Sequence, residues 1–210
     1  MTDPASLDWS AAERWYDAHA ESYELSTLMR PASPALISFA ARLSPGARVL
    51  DAGCGCGRDA RWLLDHGFAV GAFDISREMV ASTSANTGGR VNPRWLDFRD
   101  YGDAPGSWDA IWAMASLLHL PKDEMRDILP RLIESLTDTG LLAISVKKGT
   151  GAQVDAQGRP FSYFTPEEIT TLAFAALSGP GEVSLTVSTQ PDGNHIPTEW
   201  IDVIIRRLPA

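Results

Sequence analysis

The stretch that decides the fold is residues 48–58, RVLDAGCGCGR, in which a short apolar strand runs into three alternating glycines and then a helix. Because glycine has no Cβ, it adopts backbone angles closed to other residues and lets a ligand approach the main chain. Three such residues within five positions, placed between a strand and a helix, indicate a cradle for a nucleotide cofactor.

A second informative stretch is the apolar run at 69–73, which ends in Asp74. A carboxylate at the end of that strand can accept hydrogen bonds from both hydroxyls of a ribose. The glycine spacing differs from Gly-x-Gly-x-x-Gly, the pattern of dinucleotide-binding folds. This difference counts against an NAD-dependent oxidoreductase, which stays as the least favoured alternative.

The glycine loop, with Asp51 two residues before Gly53, resembles motif I of the class I S-adenosylmethionine-dependent methyltransferases. Asp74 stands where that family places its ribose-binding acid, and residues 95–98 resemble its adenine-binding segment. Residues 108–121 are similar to its fourth strand and the loop that follows. The ordered set resembles small bacterial members, of the tellurite-resistance-like kind or methyltransferase type 11 or 12.

The resemblance implies an α/β fold with a doubly wound, mostly parallel, seven-stranded sheet of Rossmann-like type and an antiparallel C-terminal strand. A chain of 210 residues without a break in composition suits a single methyltransferase domain. Residues 1–45 are expected to form an N-terminal helical lid on that domain.

The beginning of the chain favours one long helix. Residues 7–26 contain no helix breaker and carry a Ser10-x-x-Glu13 capping box. An aromatic stripe runs along this helix, and it either packs in the core or, as the resemblance implies, covers the cofactor pocket. Tyr16 and Tyr23 are then the lid residues that contact the methionine end of the cofactor.

The end of the chain is expected to alternate polar loops and strands. Residues 147–160 are expected to form a polar loop that overhangs the active-site edge. Alternating apolar residues at 183–189 and 198–206 predict two strands, with a hairpin turn at 191–194 between them. An antiparallel pair at this place matches the family's last two strands.

The resemblance also implies which residues bind the cofactor. They are Tyr16, Tyr23, Asp51, Gly53, Cys54, Gly55, Arg58, Asp74, Ile75, Asp97, Phe98, Ala113 and Met114. Asp97 would accept a hydrogen bond from the adenine amino group, or else cap a turn. Arg58 would lie near the carboxylate of the cofactor, or else form a salt bridge with Asp59 or Asp17.

The chemistry is expected at the end of the fourth strand, where the carbonyls of Ala113 and Met114 would accept from the α-amino group of the cofactor. His119 and Tyr163 are the candidate catalytic residues, and structural roles for both remain open. Methyl transfer from a sulfonium depends mainly on holding the reactants in line. A hydroxyl or carbon acceptor would need a base, whereas a thiol, selenide or carboxylate would not.

The composition limits the kinds of molecule that this protein is expected to bind. A net charge of −9 repels nucleic acid and anionic lipid, and no apolar run is long enough to cross a membrane. Cys54 and Cys56 are too few for a structural zinc site and are expected to be small buried residues, so no metal is expected. We therefore expect a cytoplasmic monomer or homodimer that uses S-adenosyl-L-methionine on a small-molecule acceptor of unspecified identity. A non-catalytic protein that binds the cofactor or a partner is the main alternative.

Overall fold

The chain is built on one central sheet. A computed structural model describes residues 6–191 and 196–209, and these residues contribute nine strands. The strands are β1 (Arg48–Ala52), β2 (Ala69–Asp74), β3 (Arg94–Trp95), β4 (Trp108–Ala113), β5 (Leu136–Lys148), β6 (Ala152–Val154), β7 (Pro160–Phe164), β8 (Gly181–Pro191) and β9 (Pro197–Arg207).

The strand pairing confirms the predicted, mostly parallel sheet with antiparallel pairing at its C-terminal end, but the described residues form nine strands instead of the predicted seven. Strands β3, β2, β1, β4 and β5 lie side by side in that order and are parallel. Strand β9 pairs antiparallel with β5, and β8 pairs antiparallel with β9. The order of strands reverses between β1 and β4, and ligands of doubly wound sheets bind at such a switch point, beyond the carboxyl ends of the strands.

Helices cover both faces of the sheet. They are α1 (Ala11–Ala18), α2 (Ala20–Thr27), α3 (Pro34–Ala40), α4 (Arg58–Asp65), α5 (Arg77–Asn86), α6 (Met125–Glu134) and α7 (Pro166–Ala175). Leu50 and Ile111 point to one face and share a core with residues of α6 and α7. Val49 and Trp112 point to the other face, where residues of α3 and α4 cover them. This alternation buries both faces and leaves the strand ends for function.

The prediction of one N-terminal helix over 7–26 was wrong, because the helix breaks at His19. His19 has φ −121° and ψ 18°, which lie outside the helical region, and its ring is stacked on the ring of Trp15. The predicted capping box is absent as well. The Ser10 hydroxyl donates to the Asp8 carboxylate instead of accepting from the first turn, so Asp8 holds the start of α1.

The predicted polar loop at 147–160 is in part a β-hairpin. Strand β6 pairs antiparallel with β7, and β7 also pairs with the last two residues of β5. The connection is a tight turn in which the Asp155 carboxylate accepts from the backbone amides of Gln157 and Arg159. These local hydrogen bonds order a segment whose composition alone favoured a loop. Of the turn predicted at 191–194, Pro191 is the last residue of β8, and residues 192–194 lie outside the described residues.

Candidate active site

The glycine turn between β1 and α4 is held to the neighbouring strand. The backbone amides of Gly53 and Cys54 both donate to the carbonyl of Phe73, at 2.9 and 3.0 Å. Gly53 has φ +77°, and a Cβ on it would lie 2.3 Å from the Cβ of Ser116. Only glycine fits at this position, because a residue with a Cβ would be strained at this φ and would clash with the side chain of Ser116 in the loop after β4.

The two cysteines of the turn are buried thiols. The Thr83 hydroxyl donates to the carbonyl of Gly55 at 2.7 Å and lies 3.3 Å from Sγ of Cys54. Burial raises the pKa of Cys54, and it raises the pKa of Cys56 to about 11. Both side chains therefore stay protonated at neutral pH and fill space beneath the turn, as expected of them.

Asp74 ends β2 with its carboxylate fixed on two sides. One oxygen accepts from the amide of Gly55 and the other from the amide of Ser76, each at 2.9 Å. A carboxylate has about four acceptor positions, so two remain for the paired hydroxyls of a ribose. Burial raises the pKa of Asp74 to about 6, while the two amides act in the opposite direction.

Asp51 is a buried carboxylate with an unsatisfied oxygen. It is 3% exposed, and its Oδ2 atom has no hydrogen-bond partner among the described residues. Burial and the neighbouring carboxylate of Asp59 raise the pKa of Asp51 well above its usual range. A buried acceptor without a donor is costly, so this oxygen fits a site that receives a donor from a ligand such as the amino group of S-adenosylmethionine.

Arg58 makes the salt bridge that was one of its two predicted roles. Its Nε donates to Oδ1 of Asp59 at 2.7 Å, and Oδ2 of Asp59 accepts from the indole of Trp112 at 2.9 Å. Arg58 also lines a cavity beside the glycine turn. A salt bridge and a contact with the cofactor carboxylate are therefore compatible.

The segment after β3 forms a short 3₁₀ turn over Phe98–Asp100. The Asp97 carboxylate accepts from the backbone amide and the guanidinium of Arg99, both at 2.8 Å, so the turn-capping role is the one seen. Asp97, Phe98 and Ile75 nonetheless line a cavity beside the glycine turn. One carboxylate thus both caps the turn and faces the place expected for an adenine.

The backbone at the end of β4 is strained. Ala115 has φ +52°, which is unusual for a residue other than glycine, and its amide donates to the hydroxyl of Ser145 at 2.8 Å. The Ser116 hydroxyl donates to the carbonyl of Ala52 at 2.9 Å. Such strain persists where the surroundings fix it, often at functional sites. No sequence signal pointed to Ala115 or Ser116.

Two adjoining cavities, of about 240 and 390 Å³, meet at the glycine turn. Both are lined by Tyr23, Gly53, Gly55, Met114, Ala115, Arg159 and Trp200. Of the other predicted cofactor-binding residues, five line the smaller cavity: Tyr16, Asp74, Ile75, Asp97 and Phe98. Three line the larger cavity: Asp51, Cys54 and Arg58. Ala113 lines neither cavity and is buried within β4. The fold thus gathers nearly all of them at one place.

Three polar side chains from three separate segments meet at one end of the smaller cavity. Nδ1 of His119 donates to the carbonyl of Pro160 at 2.9 Å, which leaves Nε2 as an acceptor for the hydroxyl of Tyr16 at 3.3 Å. Arg159 donates to the same hydroxyl at 3.4 Å. Burial lowers the pKa of His119 to about 4 and raises the pKa of Tyr16, so both are neutral at pH 7.

Cationic side chains and aromatic rings lie next to this cluster of Tyr16, His119 and Arg159. Arg159 is 5% exposed, forms an ion pair with Asp155 at 2.7 Å and lies 4.2 Å above the ring of Trp15. Nζ of Lys147 lies 3.9 Å above the ring of Phe161. Sequence reasoning missed Arg159 and Lys147 as site residues. The Asp-x-x-Gly-Arg turn followed by an aromatic run was the available signal for the hairpin that carries Arg159.

Tyr163, the second candidate catalytic residue, is placed differently. Its ring packs across Gly149, where a Cβ would lie 3.0 Å away, and it does not line either of the two cavities. Among residues 6–191 and 196–209, no group of three or more His, Cys, Asp or Glu side chains is arranged to hold a metal ion.

Comparison with known proteins gives the same assignment as the geometry. Residues 49–140 match the family described as Methyltransferase domain. Over 150 residues the chain is 35% identical to a thiopurine S-methyltransferase of Xanthobacter autotrophicus, covering 62% of this chain and 67% of the relative. It is 35% identical over 116 residues to a ubiquinone biosynthesis O-methyltransferase of Xanthomonas campestris, covering 52% of this chain and 47% of the relative. This chain thus spans about half the length of the latter protein.

Solved structures agree on the fold. A 1,6-didemethyltoxoflavin-N1-methyltransferase of Burkholderia thailandensis, solved with S-adenosylhomocysteine bound, superposes with a TM-score of 0.74 at 24% identity over 99% of this chain and 92% of that one. The [4+2]-cyclase SpnF superposes with a TM-score of 0.75 at 17% identity over 97% of each chain. At these identities the likeness concerns the fold alone.

The chain belongs to the class I S-adenosylmethionine-dependent methyltransferases, and S-adenosylmethionine is its cofactor. The glycine cradle, the two free acceptor positions on Asp74 and the unpaired oxygen of Asp51 are the features of this structure that fit that cofactor. In the part of the chain that the structure describes, none of the helices has the length and apolar character needed to cross a membrane.

Proposed function

We propose that this protein transfers the methyl group of S-adenosylmethionine to a small molecule bound beside Tyr16, His119 and Phe161. One observation carries the proposal: the residues suited to the ribose and adenine of the cofactor line the same cavity as the aromatic wall around His119. A donor and an acceptor held there lie next to each other in a partly enclosed space. Holding two reactants in this way is the main contribution that the reaction needs from a protein.

Each part of the site then has a separate task. When bound, S-adenosylmethionine supplies an electrophilic methyl group. Asp74 holds the ribose through its two free acceptor positions, and Asp97 and Phe98 lie at the adenine. Asp51 and Arg58 hold the amino and carboxylate ends, and the rings of Tyr16 and Phe161 exclude water from the acceptor.

The acceptor is best matched by a nucleophile that needs no base. Both ring nitrogens of His119 are engaged, one by Pro160 and one by Tyr16, and burial keeps its pKa at about 4. A residue in this state is a weak proton acceptor at neutral pH. A thiolate, an amine or a carboxylate therefore suits the site better than an alcohol, and His119 serves to orient Tyr16.

The N-terminal segment acts as a lid in this proposal. The helices α1 and α2 contribute Tyr16 and Tyr23 to the cavity walls, whereas Leu36 and Phe39 of α3 are buried against the sheet. Closure would thus concern residues before α3 and not all of 1–45. A cytoplasmic location is consistent with two free, buried thiols, because cytosolic proteins keep their thiols reduced.

The test is a methyl-transfer assay with a panel of small thiols, amines, carboxylates and phenols, read by mass spectrometry. We expect one class to gain a methyl group with release of one equivalent of S-adenosylhomocysteine. The matched control is D74N, which should lower turnover at limiting cofactor. Cofactor binding without product on any acceptor would favour a non-catalytic cofactor-binding protein, and absence of binding would overturn the proposal.

A further inference from the structure

The helix α1 is attached to the start of α5 by one side chain that lies outside both cavities. Oδ1 of Asp17 accepts from the hydroxyl of Ser76 at 2.6 Å and from the amide of Glu78 at 3.4 Å. Asp17 therefore adds a second N-terminal cap to α5, supplied by a different helix.

Ser76 is the residue that connects Asp17 to the cofactor pocket. Its side chain is fully buried, its hydroxyl proton goes to Asp17, and its oxygen accepts from the amide of Met79 at 3.2 Å. Its own amide donates to Asp74. The amide, hydroxyl and carbonyl of Ser76 are thus all engaged, and the hydrogen bond to Asp17 is the one that joins Ser76 to a segment distant in sequence.

We propose that Asp17 is a positioning residue that couples the docking of α1 to cofactor binding, through Ser76 and Asp74. The continuous path is Asp17, Ser76, Asp74 and Gly55, and each step is a hydrogen bond of 2.6 to 2.9 Å. The proposal rests on the ribose-binding role of Asp74 in the proposed function. It adds that the N-terminal helix and the ribose site stabilise each other.

The neighbouring residue explains why this matters for the reaction. Tyr16 precedes Asp17 on α1 and reaches across the cavity to His119 and Arg159. The same turn of α1 is therefore attached through Asp17 to the cofactor pocket and through Tyr16 to His119 and Arg159 in the proposed acceptor site. If cofactor binding orders the contact between Asp17 and Ser76, less conformational entropy is lost when Tyr16 then forms its contacts with His119 and Arg159.

The first experiment uses the wild-type protein. Hydrogen exchange read by mass spectrometry should show that S-adenosylhomocysteine increases the protection of residues 11–18, although most of these residues do not touch the ribose site. Equal exchange of this helix with and without bound ligand would overturn the proposal. If the ligand does not bind at all, the failure belongs to the cofactor assignment and not to Asp17.

The second experiment compares three variants by calorimetry with S-adenosylhomocysteine. D17A should raise the Kd about tenfold, as expected for the loss of a hydrogen bond to a charged group. D17N keeps an acceptor oxygen and should restore most of the affinity. E21A removes an exposed acid from α2 and should bind like the wild type.

A merely structural role for Asp17 gives a different pattern. In that case D17A would lower the Tm but bind S-adenosylhomocysteine as tightly as E21A does. A rise in Kd that D17N fails to restore would also overturn the proposal, because charge rather than the hydrogen bond to Ser76 would then be responsible.

Discussion

The hydroxyl of Tyr16 lies 3.3 Å from Nε2 of His119, two residues that are 103 positions apart in the chain. This contact joins the N-terminal helix to the loop after β4. With Nδ1 of His119 bonded to the carbonyl of Pro160, both ring nitrogens of His119 are used within the protein. The acceptor cavity therefore has a neutral hydrogen-bonding pair at the position where a catalytic base was one of the two predicted possibilities.

The first prediction concerns H119N, in which the amide nitrogen can still donate to Pro160 while the acceptor toward Tyr16 is lost. A general base contributes about 10²–10⁴-fold to a rate. We expect kcat to fall by less than about tenfold on a thiol or amine acceptor, because His119 only positions Tyr16. Steady-state kinetics with the identified acceptor give the answer. A hundredfold fall, with a limb of the pH profile near 6 that disappears in the variant, would restore His119 as the base.

Cofactor affinity should depend on pH through Asp74. Its pKa is raised to about 6, so the carboxylate is ionised above that pH and protonated below it. Ribose hydroxyls donate better to the ionised form, so affinity for S-adenosylhomocysteine should be highest above pH 6 and fall as the pH drops through 6. Binding at pH 6 should accordingly release protons. Calorimetry in buffers of different ionisation enthalpy measures this release.

The control for that measurement is D74N, which has no proton to release at this position. It should bind more weakly at pH 7 and show little change between pH 5 and 7. Proton release of the same size in D74N would assign the titration to another group, such as Asp51.

Two glycine variants separate the loss of stability caused by backbone strain from the loss caused by a steric clash of the added Cβ. Gly46 and Gly53 have nearly the same φ, +76° and +77°, but only Gly53 has atoms within 4 Å of the added Cβ. G46A should lose about 1–2 kcal/mol of unfolding free energy from the left-handed conformation alone. G53A should lose roughly a further 1–3 kcal/mol from the contact with Ser116. Urea denaturation measures both, and equal losses would contradict the proposed close approach.

The prediction for Arg58 depends on which part of the cofactor it meets. R58A should weaken S-adenosylhomocysteine binding about tenfold, because a charge-assisted contact with the ligand carboxylate is lost. It should leave the affinity for methylthioadenosine, which lacks that carboxylate, nearly unchanged. Calorimetry with the two ligands makes the comparison. A parallel loss for both would mean that Arg58 acts only through Asp59 and the shape of the turn.

The sequence alone determined the parallel core of the sheet and the glycine turn, and its resemblance to a known family indicated the cofactor. Strand formation at 48–52 and 69–74, the glycine turn and the acid after β2 are local properties of short stretches, so periodicity and spacing were sufficient to predict them. The order of these segments along the chain then indicated the family, and the fold that follows from it was confirmed. Predictions failed where another contact replaced the one that the local pattern indicated. At the start of α1, for example, the Ser10 hydroxyl donates to Asp8 instead of capping the helix.

Only the tertiary structure decided the state of the site. Tyr16, His119 and Arg159 come from three segments, and no spacing in the sequence states that they share one hydrogen-bonded cluster. The hairpin that carries Arg159 and the strained backbone at Ala115 likewise depend on neighbours distant in sequence. A residue type can be read from the chain, but its burial, its partners and hence its pKa arise only when distant segments pack together.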